Sequence, residues 1–432
     1  MDSTQVPAEY DVVISGGGVS GCLAALALSR YPHLKIALVE AGAPTHITNS
    51  TQSGHGGFDA RVIALSKQSL VMLEQLGVNT SDIAGEAITD IHVSDRGHVG
   101  KVHLSAAQDT ANSLHVNAAN QPWGKTLSQL LGKVVAISEL GEYLLSQVKQ
   151  AANVHYIYPA RISAITPHQA YHHIDLQSAH EHANSDSYPS IRAKLVLVSD
   201  GAQSSTASML GFQQKIHDYE QSALITNVTV QLPHKGMAFE RFTSQGPLAF
   251  LPMFTSQNNA QNNRTMSVVW CMNDSKLESA LSLSSAAFMQ TLNDLFGYRL
   301  GRIENHSKVH SYPLRLVTTH SFTQHRALCI GNAAQALHPI AGQGFNLGIR
   351  DVFDAVQTIG NYADVGCHSS LQAYNAMRKQ DKALTIGATN TLVSVFSNQY
   401  WPMVVGRNAG LHIMNHIPAS KRAFAQFAMG NR

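Results

Sequence analysis

The chain has 432 residues, 44% of them hydrophobic and 13% charged, with a formal net charge of +2. That length can bury a substantial core and fits two or three domains. The near-neutral balance excludes the basic footprint of a nucleic-acid binder, and no window approaches the ~18 apolar residues needed to span a bilayer.

The N-terminal MDSTQVPAEY lacks the basic and apolar regions of a secretory signal, which points to the cytoplasm. From Tyr10 to Ser15 the run YDVVIS reads as a strand that enters Gly16-Gly17-Gly18-Val19-Ser20-Gly21. A helix rich in Ala and Leu follows to about Arg30, and Lys35 to Glu40 (KIALVE) reads as a second strand. This is G-x-G-x-x-G in its required strand–turn–helix–strand context, with an acid ending the second strand. Gly16 permits the tight turn, Gly18 admits a pyrophosphate and Gly21 lets helix and strand pack closely. Glu40 can accept from a ribose 2′-hydroxyl. The fingerprint alone does not separate FAD from NAD. Next, GGFDARVIALS (56–66) sets Arg61 in a glycine-rich loop before a helix with Leu70, Leu73 and Leu76.

Between 81 and 190, IHVSDRGHVGKVHL and VHYIYPARISAI read as strands among polar turns. HHIDL and HEH, between 172 and 182, lie in loop-like polar sequence, match no metal motif and are read as solvated. AKLVLVS (193–199) is a buried strand that returns to the first sheet and ends in Asp200-Gly201. That carboxylate sits at a turn beside a helix start, where a plain helix cap would account for it. From Ile216 to about Leu316 the pattern fits antiparallel strands. Phe239, Phe242, Phe250, Met253, Phe254 and Trp270 supply an aromatic surface there, part core and part wall for a hydrophobic aromatic ligand. Gly246-Pro247 marks a bend in one of these runs. Cys22, Cys271, Cys329 and Cys367 are far apart without zinc spacing, so buried thiols in a reducing compartment are expected.

Late in the chain, Leu328, Cys329 and Ile330 form a buried strand that Gly331-Asn332 breaks. An amphipathic helix follows with Leu347, Val352, Ala355, Val356 and Ile359 on one face. Between them stand His338, Pro339, Gly342, Gly344 and Asn346. Glycines at a helix start let the backbone approach a ligand, and the free N–H groups of the first turn suit an electron-rich ring or an oxyanion.

The string GNAAQALHPIAGQGFNLG (331–348), in company with the N-terminal fingerprint and Asp200-Gly201, resembles the second flavin-binding motif of the aromatic-ring hydroxylases, the FAD-dependent group A monooxygenases. AFERFTSQGPLAFLPM (238–253) and VSDRGH (93–98) narrow the similarity to the ubiquinone-biosynthesis branch, over nearly the whole chain. The resemblance implies an α/β fold in which a βαβ (Rossmann-like) FAD-binding domain carries an inserted antiparallel β-sheet substrate domain and a C-terminal helical region. The expected division gives 1–80, 190–215 and 317–360 to FAD, 81–189 and 216–316 to substrate, and 361–432 to the helices. One dinucleotide fingerprint together with the later flavin motifs implies resident FAD and a nicotinamide cofactor that visits without a domain of its own. By resemblance, FAD contacts fall to Arg61, Asp200, Gly201, Asn332, Pro339, Gly342, Gly344 and Asn346. Asn332 stands where most of the superfamily has Asp, and its amide keeps an acceptor while gaining donors.

The implied reaction uses NAD(P)H and O₂, through a C4a-hydroperoxyflavin, to convert a 2-polyprenyl-6-methoxyphenol to the benzoquinol. Hydroxylation of another ring position or another phenol, and a flavin-containing scaffold of a quinone-synthesis complex, remain as alternatives. No catalytic base is assigned, because His338 reads as well as a loop histidine. Tyr374, Arg378 and Asp381 share one side of a helix of structural role. The apolar tail LVSVFSNQYWPMVVGRNAGLHIM is expected either to pack on the body or to meet a membrane surface or other quinone-biosynthesis proteins. Its removal beyond about Gly410 is expected to leave the flavin in place.

Overall fold

The computed structural model describes residues 8–42, 61–109, 126–179, 188–254, 263–336, 343–397, 406, 408, 410, 417, 421, 424–426, 429 and 430, with backbone alone at 108, 109, 343 and 383–397. Strand β1 (Ala8–Ser15), helix α1 (Val19–Ser29) and strand β2 (Ile36–Val39) form the first βαβ unit. Every residue of β2 is buried, as a strand covered on both faces requires. β3 (Val62–Ser66) runs into α2 (Lys67–Gln75), whose N-terminus is capped by Ser66 Oγ accepting from Ser69 N. β4 (Glu86–Ile88) precedes the β5 (Asp90–Asp95) and β6 (Lys101–Ser105) hairpin and the single turn α3 (Ala106–Asp109). β7 (Gly132–Ala136) then leads into α4 (Ile137–Gln150), which packs on α1 and delivers β8 (Val154–Ile157) parallel to β2. β9 (Ala160–Pro167), β10 (His172–Ser178) and β11 (Ile191–Val198) follow, and β11 joins β1 in parallel.

After α5 (Ser205–Met209) the long β12 (Gln214–Val230) opens the second sheet. β13 (Met237–Thr243), β14 (Gly246–Pro252) and β15 (Thr265–Asn273) extend it; α6 (Asp274–Leu281) and α7 (Ser285–Phe296) cover one face, before β16 (Ile303–His306) and β17 (His310–Thr319). β18 (Thr323–Gln324) and β19 (Ala327–Cys329) return to the first sheet, and β20 (Gln335–Ala336) pairs with β17. Helices α8 (Gln343–Gly360) and α9 (His368–Ser397) complete the described elements. Three sheets result: eight strands along β18-β19-β11-β1-β2-β8 with β10 and β9 attached, nine strands along β20-β17-β12-β15-β14-β13-β5-β6 with β16 attached, and the small β3-β7-β4.

Two expectations change. Within 81–189, only β5 and β6 join the large, mostly antiparallel sheet, β5 in parallel with β13; β8, β9 and β10 pair into the first sheet and β4 and β7 pair around β3. The reason is edge pairing: β2 leaves an open edge that β8, delivered by α4, fills in parallel, and strand identity does not say which edge is taken. HHIDL is not solvated loop. It starts β10, where His172 is buried, bonded to the His325 carbonyl, with its pKa lowered chiefly by burial. HEH lies outside the described residues. The apolar tail 392–414 lies mostly outside the described residues; beyond it, Ala425 and Met429 are buried against Val93, Val102, Leu131 and Phe242, and the Met429 carbonyl accepts from Gln68 N at the start of α2. Among the described residues Cys22, Cys271 and Cys329 are buried free thiols, no side-chain cluster fits a metal ion, and no helix is long and apolar enough to cross a membrane.

Candidate active site

The end of β1 and the start of α1 form a cradle defined by what a side chain would meet there. Gly16 has φ +97°, and a Cβ on it would sit 2.7 Å from Asp200 Cα. A Cβ on Gly21 would overlap the Gly16 carbonyl oxygen, so helix and turn touch backbone to backbone. At Gly18, the N-cap of α1, a Cβ would meet nothing within 4 Å. One glycine is thus required by the turn, one by packing, and the third faces open space at a helix N-terminus, where an anionic diphosphate is favoured. Glu40, at the end of β2, accepts from Gly17 N and from Gly42 N at 2.6 Å, leaving lone pairs of its carboxylate for a further donor.

Asp200 and Gly201 lie beside this cradle at the end of β11. Asp200 Oδ2 accepts from Thr206 N at 3.2 Å and so helps cap α5, whereas Oδ1 is buried without a hydrogen-bond partner among the described residues. Gly201 has φ +98° and no neighbour where its Cβ would be. The cap and the ligand readings of Asp200 therefore each claim one oxygen. An unpaired buried acceptor costs about 1–3 kcal/mol, which a bound hydroxyl or N–H donor would recover.

The third wall is the Gly331-Asn332 turn. A Cβ on Gly331 (φ +59°) would lie 2.6 Å from Ser20 Oγ, and one on Gly348 would lie 3.4 Å from Gly331 Cα, so the starts of α1 and α8 converge on this turn. Asn332 is exposed at its tip. Beneath it, Asp351 Oδ2 accepts from Gly331 N at 2.9 Å, and Asp351 Oδ1 pairs with Arg378 at 2.7 Å. Arg378 is fully buried and also meets Asp354 at 2.8 Å and Asp381 at 2.7 Å, while Arg350 pairs with Asp381 at 2.7 Å. Burial pushes the Asp351 carboxyl up to about 6, against the pull of Arg378. Tyr374 donates to the Cys329 carbonyl at 2.9 Å. Tyr374, Arg378 and Asp381 thus tie α9 to the turn, a role whose sequence signal was three polar residues on one helical side.

Gly344 stands in the first turn of α8. Asn346, one turn in, is buried with Oδ1 accepting from Ser66 N and Nδ2 donating to the Ala64 carbonyl, both at 2.9 Å; its side chain clamps α8 to β3. Pro339 and Gly342 lie outside the described residues. Arg61, just before β3, lays its guanidinium 4.7 Å from the centre of the Tyr312 ring on β17, which joins the nucleotide side of the molecule to the large sheet.

The face of that sheet turned toward Arg61 follows from register. Tyr312 pairs with Ala223, Ala223 with Cys271, and Ala223, Cys271, Leu314, Tyr219 and Val269 form one apolar cluster. Phe239, Phe250 and Trp270 point the other way, into the core under α6 and α7, with Phe250 stacked 4.0 Å from Phe296. Phe242 packs with the C-terminal turn. The aromatic run from the sequence is therefore mostly core, because alternate strand residues face opposite sides and composition does not reveal which side is which.

A model of the FAD binding domain family matches residues 9–386, and the chain belongs to that family. It is 29% identical to the ubiquinone hydroxylase UbiL of Rhodospirillum rubrum, covering 97% of this chain and 89% of that protein. It is 25% identical to the 3-demethoxyubiquinol 3-hydroxylase of Escherichia coli, covering 97% and 98%. Among solved structures, the p-nitrophenol 4-monooxygenase PnpA of Pseudomonas putida superposes with a TM-score of 0.73 at 16% identity, covering 98% and 99%, a likeness of fold. The protein is an FAD-dependent aromatic monooxygenase of the hydroxylase type, and monooxygenases of this family use NAD(P)H and O₂ with a phenolic substrate.

The residues present fit FAD. The open space at Gly18 suits its diphosphate, and the orphaned Asp200 oxygen and exposed Asn332 amide suit its hydroxyl groups. When bound, FAD supplies the redox chemistry that activates O₂.

Proposed function

We propose that the protein hydroxylates a polyprenylated methoxyphenol of ubiquinone biosynthesis, 2-polyprenyl-6-methoxyphenol, giving the corresponding benzoquinol. The observation that carries this reading is the whole-length similarity to relatives named for ubiquinone hydroxylation, set beside an apolar sheet face built from Ala223, Val269, Cys271 and Leu314. In this reading Gly16, Gly18, Gly21, Glu40, Arg61, Asp200, Gly201, Asn332, Pro339, Gly342, Gly344 and Asn346 line the FAD site, Asn346 through its backbone. A polar acid such as 4-hydroxybenzoate would need a buried cation at considerable desolvation cost. Each prenyl methylene buried would contribute about 0.8 kcal/mol, so affinity climbs over the first isoprene units and then levels off. Peripheral contact at the inner face of the membrane, and with other quinone-biosynthesis proteins, would supply such a substrate.

The test is product analysis with FAD-loaded protein, NAD(P)H, O₂ and a panel of phenols with and without prenyl chains. Stoichiometric hydroxylation only of prenylated phenols is expected. Coupled turnover of 4-hydroxybenzoate, or indifference to the prenyl chain, would overturn the assignment. The ring position in the Escherichia coli relative's name favours a second reading, hydroxylation at another carbon of a quinone precursor, which the same product analysis separates. FAD retention without NAD(P)H consumption on any phenol would instead favour a scaffold subunit.

A further inference from the structure

We infer that Glu240 is a catalytic residue that accepts the proton of the substrate's phenolic hydroxyl. The inference rests on the phenol reading above and assigns the base that the sequence left open. Glu240 lies mid-strand in β13, between Phe239 and Arg241. Phe239 packs edge-on to Phe296, 5.1 Å between ring centres, and Arg241 Nε donates to the Leu295 carbonyl at 2.7 Å, so both neighbours point at α7. Alternation turns Glu240 to the opposite face, in register with Ala249 on β14 and Val93 on β5. That is the face carrying Tyr312 and the Cys271 cluster, bounded on the far side by Phe242 and the C-terminal turn.

The carboxylate is half-buried, and among the described residues no hydrogen-bond donor or cation pairs with it. Burial alone pushes its pKa up to about 7. The titratable and charged groups facing it are few. Cys271, on β15, has its own thiol pushed up by burial and by the charge of Glu240. Tyr219, Tyr312 and Arg61 lie further along the same face, and Asp95, on β5, is held by Asn408 at 3.0 Å. The facing residues of β14 are apolar, and on α9, the helix that touches β13, Arg378 and Asp381 pair with each other while Lys382 donates to the Thr319 carbonyl. A carboxylate left without a partner among the described residues, on an apolar sheet face that raises its pKa, marks a functional site.

The chemistry matches. A free phenol has a pKa near 10, so about one in a thousand is ionised at neutral pH. Electron release from the ring oxygen is what makes the ring carbon receptive to oxygen transfer. In the step, the phenolic O–H bond breaks, its electron pair stays on the ring oxygen, and the proton passes to a Glu240 carboxylate oxygen, to be released to solvent later. No electron is transferred in this step. Raising the acceptor from an ordinary carboxylate value to about 7 improves proton uptake roughly 300-fold while leaving it half ionised at neutral pH.

The test compares wild type, Glu240→Gln and Glu240→Asp as FAD-loaded proteins with a prenylated methoxyphenol. Glu240→Gln is expected to keep its flavin but to lose about 100-fold or more in hydroxylation rate, with NAD(P)H diverted to hydrogen peroxide. Glu240→Asp should recover part of the rate. In wild type the rate should rise as pH passes through about 7, and ultraviolet difference spectra of the bound phenol should show its ionisation below the free phenol's range. Both pH signatures should vanish in Glu240→Gln. If wild type hydroxylates the phenol and Glu240→Gln matches its rate and pH profile, the assignment of Glu240 falls alone. If wild type hydroxylates no phenol, the functional reading falls and takes this one with it.

Discussion

Gly18, at the N-cap of α1, and Gly21, in its first turn, should fail in opposite ways when substituted, because one faces open space for a ligand and the other faces packing. A Cβ on Gly21 would overlap the Gly16 carbonyl oxygen and lie 2.8 Å from Ser199 Oγ, atoms fixed by β1 and β11. Relief requires α1 to move away from the sheet, and overpacking of that kind costs typically about 1–3 kcal/mol or more. A Cβ on Gly18 meets nothing within 4 Å, and its φ of −65° is open to any residue. Gly18→Ala should therefore change the apoprotein's stability by no more than about 1 kcal/mol, the ordinary cost of a poorer N-cap. Gly18→Val should behave alike without ligand, yet its branched side chain would occupy the diphosphate's space. The assay has two arms: urea unfolding of the flavin-free proteins, and visible absorption of the proteins as purified. Gly21→Ala should lose stability in the first arm, and Gly18→Val should be colourless in the second with a nearly wild-type midpoint in the first. A fully yellow Gly18→Val protein would refute the cradle, and an apoprotein as badly destabilised as Gly21→Ala would refute the distinction between the two positions.

At the turn after β19, Asn332→Asp should retain FAD and most activity, whereas Asn332→Leu should lose cofactor; equal FAD affinity in all three, by fluorescence titration, would mean that the side chain makes no contact. Arg378→Met leaves Asp351, Asp354 and Asp381 buried together and should cost about 3–5 kcal/mol, read as a lower urea midpoint and weaker flavin retention. Truncation before Phe424 removes the buried Ala425 and Met429 and the cap on Gln68 N, so it should cost about 2–4 kcal/mol and lower the thermal midpoint; an unchanged midpoint would mean that these contacts do not stabilise the fold. Glu240 makes stability depend on pH. Its folded value, about 7, exceeds the unfolded value of about 4.3, so the native state binds its proton more tightly and stability falls as pH rises from about 4 to 7. For a half-buried group the loss is about 1–2 kcal/mol, and Glu240→Gln should abolish it in urea midpoints compared at pH 5 and pH 8.

What the sequence determined by itself was local. The spacing of Gly16, Gly18 and Gly21 between two apolar runs specifies a turn, because φ +97° at Gly16 and backbone-to-backbone packing at Gly21 admit no side chain at those two positions. The 3.6-residue spacing of Leu347, Val352, Ala355 and Ile359 likewise specified a helix face, and all four are buried. What only the tertiary structure decided was non-local. VHYIYPARISAI was legible as strands, but its membership of the first sheet depended on which edge β2 and β11 left open. The aromatic run 239–254 was legible as sheet, yet the side that faces Arg61 is set by α6 and α7 covering the other, a fact of packing between distant segments. Asn346 looked like a ligand and is spent on Ala64 and Ser66, 280 residues away in the chain from the latter. Glu240 carried one sequence signal, a charge at an inward position of MAFERF. Its solitude is not legible there, because a carboxylate's partners are chosen by three-dimensional neighbours, and here burial against apolar strands supplies none among the described residues.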